Sequence, residues 1–527
     1  MRWTCVILSL GLIILLGCRK KEAPLSWNSG YMVPLVHGSL GIEDLIPDTL
    51  VSVDVDSSIL LRYEGELLNL DLTEILTIPD TVMRDTFLVP FPSQVNLSPG
   101  QVFINIPEEQ ELALQGVSLS QAKLFSGTVD YQLESTVQGD VTYTYEIPSA
   151  TDWMGNIFRK TITVPAASSG SVSLQTGSFS LDGYYLDMQG QSGVEYNKVL
   201  TTINCKIAES NSSDVSVSSS DKIIVANEFK DVVIEEAEGY FGQHTISTGL
   251  NFATFSGFSK WVSGSIDIED LELNLTLKNG LGIDAFLRIN QLLSQGVNST
   301  VSLSHSIIGE LITLSRASRY YDSIVPSVYE THLNASNSNV DNFLESLPQE
   351  VEYDIEVEVN PLGNVSGYND FYDMDAPIGV FLDASMPLSL IANNLTLQDT
   401  LTIDLSGAAS VNEVTLLLEI MNGLPLQANV EIGVLDANDK VVSRIFSPNV
   451  VPSALVGSDG KVSSSSSSEH EVLIDSQDMS RIRENGRLLL TVVFDSPGNQ
   501  HVKIYNSYRL AYSVKADASI TITTGDD

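Results

Sequence analysis

Basic residues are scarce in this 527-residue chain: 27 Lys and Arg stand against 67 Asp and Glu, a net charge of −40. Affinity for phosphate backbones needs clustered Lys and Arg, so no nucleic acid is expected as a partner, and the acidity reads as a solvated surface. Aromatics make up only 7%. Beyond residue 20 the indoles are Trp27, Trp153 and Trp261, which signal no sugar-stacking groove; core packing or turn-capping is the expected place of each. No apolar run after the first seventeen residues is long enough to span a bilayer, so the body is expected to be soluble. Catalytic signatures are missing as well. His37, His244, His305, His332, His470 and His501 fall at no ligand spacing, and neither a G-x-S-x-G elbow nor a Gly-rich phosphate loop occurs. Ser120-Gln121-Ala122-Lys123 matches S-x-x-K by letter but lacks that motif's companions. The expectation is a protein that is not an enzyme.

What is present begins at the N-terminus. Arg2, the apolar run Val6 to Leu16 and the small Gly17 before Cys18 follow the order of a secretory signal. The run has about eleven residues where a spanning helix needs about twenty. Leu15-Leu16-Gly17-Cys18 resembles a bacterial lipobox, the lipoprotein signal in which the cysteine thiol receives a diacylglycerol and its freed amine a fatty acyl group such as palmitate. That resemblance implies lipidation of Cys18 and no other cofactor. Two or three chains anchor almost irreversibly, at roughly 0.8 kcal/mol per buried CH₂. Arg19-Lys20-Lys21, the densest basic run, is expected to sit on anionic headgroups, at about 1 kcal/mol per charge. In lipoproteins of the Bacteroidota type, acidic residues after the cysteine resemble a surface-export signal. Basic residues stand there in this chain, which favours the periplasmic side of the outer membrane.

Of three cysteines, Cys5 leaves with the leader and Cys18 is acylated, so Cys205 stands alone and no disulfide forms within the mature chain. It falls in the alternating run Thr201 to Ile207, where a buried strand residue is expected. Apolar residues recur with period two almost everywhere, as in Val141-Thr142-Tyr143-Thr144-Tyr145 and Tyr353 to Val359. Turn residues punctuate these runs every eight to twelve positions or so, as in sandwiches and barrels. The fold class is all-β: tandem β-sandwich-like modules with few short helices. Asn339 to Pro348 reads as one helix, capped by Asn339, with Val340, Phe343, Leu344 and Leu347 on one face. Arg481 to Glu484 adds a turn.

Internal repetition is the most informative feature of the body. Leu273 to Ala285 reads as strand, Asn279-Gly280 turn, strand, and Leu416 to Ala428 repeats it around Asn422-Gly423. A fainter copy runs from Leu133 through Gly139 to Tyr145. Asn-Gly tolerates positive φ at both central positions, which predicts a tight hairpin in each. Later phrases, Gly193 to Tyr196 and Leu347 to Tyr353, follow two of the copies at similar remove. Val33 to Asp44 also echoes Met386 to Asp399, so the N-terminal segment is expected to pair with, or be displaced from, a module near the C-terminus. The hairpin phrase resembles the β-sandwich of water-stress and late-embryogenesis-abundant domains over some twenty residues per copy. Taken whole, the chain resembles the large β-rich lipoproteins of Bacteroidota, a likeness that brings no activity with it.

These observations divide the chain into a signal peptide (1–17), a lipidated tether (18–30), an N-terminal β region (31–125), β modules at 126–225 and 226–375, the latter with the short helix near 339–347, and a C-terminal β module (376–527). The Ser-rich stretches 209–221 and 457–468 are expected breaks. Asp370, Asp373 and Asp375 are weak calcium candidates, since Ca²⁺ takes six to eight oxygens from flexible loops; a solvated acidic loop is the plainer reading and no metal is expected. The expected role is a membrane-anchored envelope lipoprotein, structural or binding, with an envelope protein, glycan or lipid as candidate partner. A glycan- or lipid-binding protein of the outer membrane is the alternative, and a hydrolase assembled from loops ranks last.

Overall fold

A computed structural model describes residues 26–41, 46, 50–70, 72, 75–76, 78–255, 258, 261–297, 299–321, 323–402 and 414–523. The leader, Cys18 and the basic triplet lie outside these. Three strands come first: β1 (Ser26–Leu40), β2 (Ile59–Leu70) and β3 (Thr81–Leu88). Next come β4 (Val102–Glu111), β5 (Ser118–Ser135), β6 (Val141–Thr151), β7 (Ile157–Val164), β8 (Ser173–Ser180), β9 (Lys198–Ile207) and β10 (Lys222–Tyr240). The middle of the chain forms β11 (His244–Ser247), β12 (Asn251–Thr254), β13 (Trp261–Ile268), β14 (Glu272–Asn279), β15 (Ala285–Gly296), β16 (Leu311–Leu314), β17 (Ser327–Leu333), helix α1 (Val340–Glu345), β18 (Pro348–Val359), β19 (Asp370–Asp373) and β20 (Ile378–Pro387). The remainder forms β21 (Ser389–Thr402), β22 (Val414–Asn422), β23 (Gln427–Leu435), β24 (Val441–Val451), β25 (Ser466–Ile474), helix α2 (Ser476–Asn485), β26 (Arg487–Asp495) and β27 (Leu510–Thr523). The protein is all-β. Among the described residues no helix is long and apolar enough to cross a membrane.

One sandwich topology occurs three times. In module 1 an A sheet in the order β3-β10-β5-β8 faces a B sheet in the order β4-β9-β6-β7, and the short strand Tyr185–Asp187 pairs with both β5 and β6. Module 2 repeats the orders as β2-β20-β14-β17 and β11/β12-β18-β15-β16. Module 3 repeats them as β1-β27-β22-β25 and β21-β26-β23-β24, with β13 added outside β21. The opening strands are dealt out in reverse: β1 enters module 3, β2 module 2 and β3 module 1. The N-terminal strand does pair near the C-terminus, yet its neighbour is β27 and not the Met386 to Asp399 stretch that echoes it. Contacts divide the chain into two compact units. Leu61–Gly257 with Asp270–Met386 holds modules 1 and 2; Met1–Leu60, Phe258–Glu269 and Pro387–Asp527 hold module 3.

The Asn-Gly pairs do not make the tight hairpins their residues predict. Neither Asn279, Gly280, Asn422 nor Gly423 has positive φ, and the strands on either side of each pair lie in opposite sheets. The amide is what shapes the corner. Asn279 is fully buried; its Nδ2 donates to the Ile283 and Ser315 carbonyls (2.8 and 2.9 Å), and its Oδ1 accepts from Leu281 N. Asn422 repeats this with Leu426, Pro452 and Leu424. The glycine follows because a Cβ at Gly280 or Gly423 would meet the Ala376 or Arg509 carbonyl at 2.5 or 2.8 Å. Module 1 makes the same corner from Ser135 and Thr136. Ser135 Oγ accepts from Val137 N, and Thr136 N donates to Lys222 O. In all three, a buried alanine N–H (Ala167, Ala317, Ala454) bonds the carbonyl two residues past the corner residue.

A second shared device precedes the second strand of each B sheet. Asn197, Leu347 and Gly486 stand just before β9, β18 and β26 in left-handed backbone, with φ of 60°, 58° and 61°. In modules 2 and 3 a helix leads into it. α1 buries Val340, Phe343 and Leu344 as its spacing predicts, but Asn339 does not cap it. The Asn339 side chain instead ties Ser302 O and Ser304 N. α2 is longer than the single turn predicted; Asp475 caps it, accepting from Gln477 N and Asp478 N, and Gly486 ends it. Of the expected Ser-rich breaks, Ser466–Ile474 is strand β25, and Val215–Val217 pairs with Val95–Leu97.

Candidate functional site

Module 1 differs from its siblings inside. Position by position from the corner, Tyr143 and Tyr145 of β6 stand where β15 has Leu287 and Ile289, and Asn227 of β10 stands where β20 has Leu382. All six are buried. Facing this polar group are Asp85 on β3 and Glu108 on β4, both on the alternation that points inward with Met83 and Gln110. Among the described residues no ladder joins β3 to β4, so the two carboxylates flank an open seam of the sandwich. Burial and the neighbouring Asp85 charge raise the Glu108 pKa, while Gln110 donates to it at 3.1 Å. Burial raises both tyrosines far above their usual range, and the Glu108 charge adds to each. The Tyr143 hydroxyl is buried and lies near Asn227 without meeting hydrogen-bond geometry.

At one end of this interior is a cavity of about 50 Å³, lined among others by Met83, Tyr145, Val199, Thr201 and Phe229. A water needs roughly 10–15 Å³ and an organic ligand roughly 300–1,000 Å³. The cavity therefore admits water-sized occupants, and a larger molecule would have to widen the seam between β3 and β4. Inward-pointing charges on edge strands also protect against edge-to-edge pairing, so Asp85 and Glu108 serve solubility whether or not anything binds.

The residues singled out from sequence lie elsewhere. Asp370 is buried, not solvated: its carboxylate accepts from Arg316 at 2.8 Å and from Asn360 at 2.9 Å, and β19, which carries it, pairs with β10 to join modules 1 and 2. Asp373 accepts from Asp375 N in the next turn, and Asp375 is exposed. Among the described residues no three of His, Cys, Asp or Glu are grouped so as to hold a metal ion. The same junction sets Arg319 on Glu238 at 2.7 Å and over the Phe371 ring, and stacks Tyr368 on Tyr196 with centroids 4.3 Å apart. Cys205 is buried in β9, its thiol pushed up to about 12 by burial, which keeps it protonated and inert at neutral pH. Ser120 donates to Glu238 O, and Lys123 pairs with Glu235 and Glu236.

Of the tryptophans, Trp261 is buried against Phe258, but Trp153 is 81% exposed. It tips the β6–β7 connection on a turn held by Asp152, which accepts from Met154 N and Asn156 N. The inner polar cluster was not among the residues singled out. Its only sequence signal is tyrosine and asparagine at positions whose repeat partners are aliphatic.

No family model matches the chain, and no curated protein matches it in sequence. Among solved structures, it is similar to one from Parabacteroides distasonis ATCC 8503, described only as a presumptive secreted protein. That match has 9% identity and a TM-score of 0.27 over 93% of this chain and 100% of the other. A second is the VP2 subviral particle of infectious bursal disease virus, at 10% identity and TM-score 0.09 over 92% and 86% of the two chains.

Proposed function

We propose that this chain is an envelope lipoprotein, anchored by acylated Cys18 at the outer membrane on its periplasmic side, with a structural or binding role and no catalytic one. The observation that carries the reading is the use of one sandwich three times, with β1, the strand that follows the tether, built into the last copy. An anchor continuous with an edge strand of the A sheet is tied to the fold through that strand's ladder with β27. The acidic residues outside the seam that sequence singled out are engaged in ion pairs and turns, which supports a scaffold better than a reaction centre. Cys18→Ser should move the protein from the membrane to the soluble periplasmic fraction; persistent membrane association sinks the anchor.

A second reading, capture of a lipid or glycan, is favoured by the module 1 seam alone. It is tested by titrating the delipidated protein with envelope lipid and glycan extracts. Binding should be lost when Val199→Trp fills the cavity, and binding unchanged by that variant removes module 1 from the reading.

A further inference from the structure

β1 settles which end of module 3 the anchor reaches. Ser26 is paired with Thr523, and Leu40 with Leu510. The register places Val414 and Ile474 of the A sheet at the Ser26 end, since Thr415 pairs with Asp517 and Val414 with Ile474. In the B sheet, Thr402, Leu435 and Arg487 lie where α2 leads into β26, because Thr402 pairs with Arg487, Val434 with Leu488 and Leu435 with Val441. The two sheets meet there in a core of Val434, Ile474, Met479, Ile482 and Leu488, which α2 seals. The Ser26 end is therefore the α2 end. It carries α2 and the exposed turn between Leu435 and Val441; the opposite end carries the Asn422-Gly423 corner and the loop between β24 and β25.

Cys18 is eight residues from Ser26, and a fully extended chain covers at most about 3.5 Å per residue, so the acylated cysteine lies within roughly 28 Å of Ser26. Ser26 itself stands six strand residues, about 20 Å, beyond Met32 at the level of Asp517 and Thr415. Charge agrees with contact. Lys440, Arg481, Arg483 and Arg487 stand at the α2 end of a chain whose net charge is −40, against Asp436, Asp439, Asp475, Asp478 and Glu484. Several of these carboxylates are already engaged: Asp478 with Arg481, Asp439 with Arg487, Asp475 with the helix N–H groups. Among the described residues this end is close to neutral, four basic against five acidic, so their charge repels anionic headgroups less than the acidic remainder would.

We propose that the α2 end of module 3, the last module in sequence, is the surface that rests on the lipid headgroups. The inference rests on the lipid anchor proposed above. The acylated full-length protein is reconstituted into vesicles of phosphatidylethanolamine and phosphatidylglycerol, and a fluorophore is placed by Asn438→Cys in the Leu435–Val441 turn or by Ser458→Cys at the opposite end. Both positions are exposed, and the remaining cysteine, Cys205, is buried and does not compete for label. A headgroup-borne quencher should remove most of the emission at 438 and little at 458. Equal quenching at both positions, stronger quenching at 458, or quenching at neither overturns the proposal while leaving the anchor intact. Failure of the anchor shows separately, as a Cys18→Ser protein that still floats with the vesicles.

Discussion

Modules 1 and 2 share a topology and differ in what they bury. Module 2 fills its interior with Leu287, Ile289 and Leu382, each fully buried and each contributing roughly 2 kcal/mol by leaving water. Module 1 sets Tyr143, Tyr145 and Asn227 at those positions and lines its seam with Asp85 and Glu108. The corners differ in the opposite sense: module 2 has a buried amide with three bonds, module 1 a serine with one. A topology this tolerant is held by strand order and by its backbone corner bonds, and the side chains at equivalent positions are free to diverge toward packing or toward polar contact.

The comparison breaks most sharply at the corner. Asn279→Ala removes two donors and one acceptor from a buried site. At about 1–3 kcal/mol for each stranded group, partly relaxed, it should cost about 4 kcal/mol. Ser135→Ala strands only Val137 N and should cost about 1 kcal/mol. Equal losses in chemical denaturation would mean the amide is not what shapes the corner. Next comes the left-handed position. Leu347→Gly relieves roughly 1–2 kcal/mol of backbone strain but removes a fully buried side chain worth roughly 2–5 kcal/mol, so a net loss of about 2 kcal/mol is expected. Gly486→Ala in module 3 should lose about 1 kcal/mol from strain alone.

Two changes probe the polar interior itself. Tyr143→Phe deletes a hydroxyl without a hydrogen-bond partner and should stabilise the fold by about 1 kcal/mol; a loss would show that the hydroxyl is bonded in solution. The smallest effect is tied to pH. Glu108 has its folded pKa raised above the usual 4.5, so the folded state holds its proton more tightly than the unfolded chain. Stability falls as pH rises from the unfolded value through the folded one, and stays lower above it. Glu108→Gln should therefore raise the melting temperature at pH 7 and leave it unchanged near pH 4. The same gain at both pH values would mean that the charge is not the cause.

Much of the architecture was legible without coordinates. Alternation in Val141 to Tyr145 and Tyr353 to Val359 is a local property of a pleated strand, and both segments are strands with that face inward. The repeats around Asn279 and Asn422 mark the same corner twice, the fainter copy sets its turn at Gly139 whereas the chain turns at Ser135-Thr136, and the helix over Val340–Glu345 falls where its apolar spacing places it. Less was legible of the sites. Asp370 reads as an acidic loop residue because its partner Arg316 is 54 positions away. The Asp85 and Glu108 seam is invisible because its walls come from β3, β4, β6 and β10.

The sequence by itself determined the strand content and the recurring corner phrase, because alternation and the phrase are each written in residues a few positions apart. Only the tertiary structure decided that Asn-Gly turns the chain from one sheet into the other, that β1 closes the last module, and that module 1 keeps a polar interior. Those outcomes depend on which distant backbone meets each residue. Asn279 bonded to Ser315 is a corner between sheets, whereas the same Asn-Gly pair with no such carbonyl in reach would be free to close a hairpin.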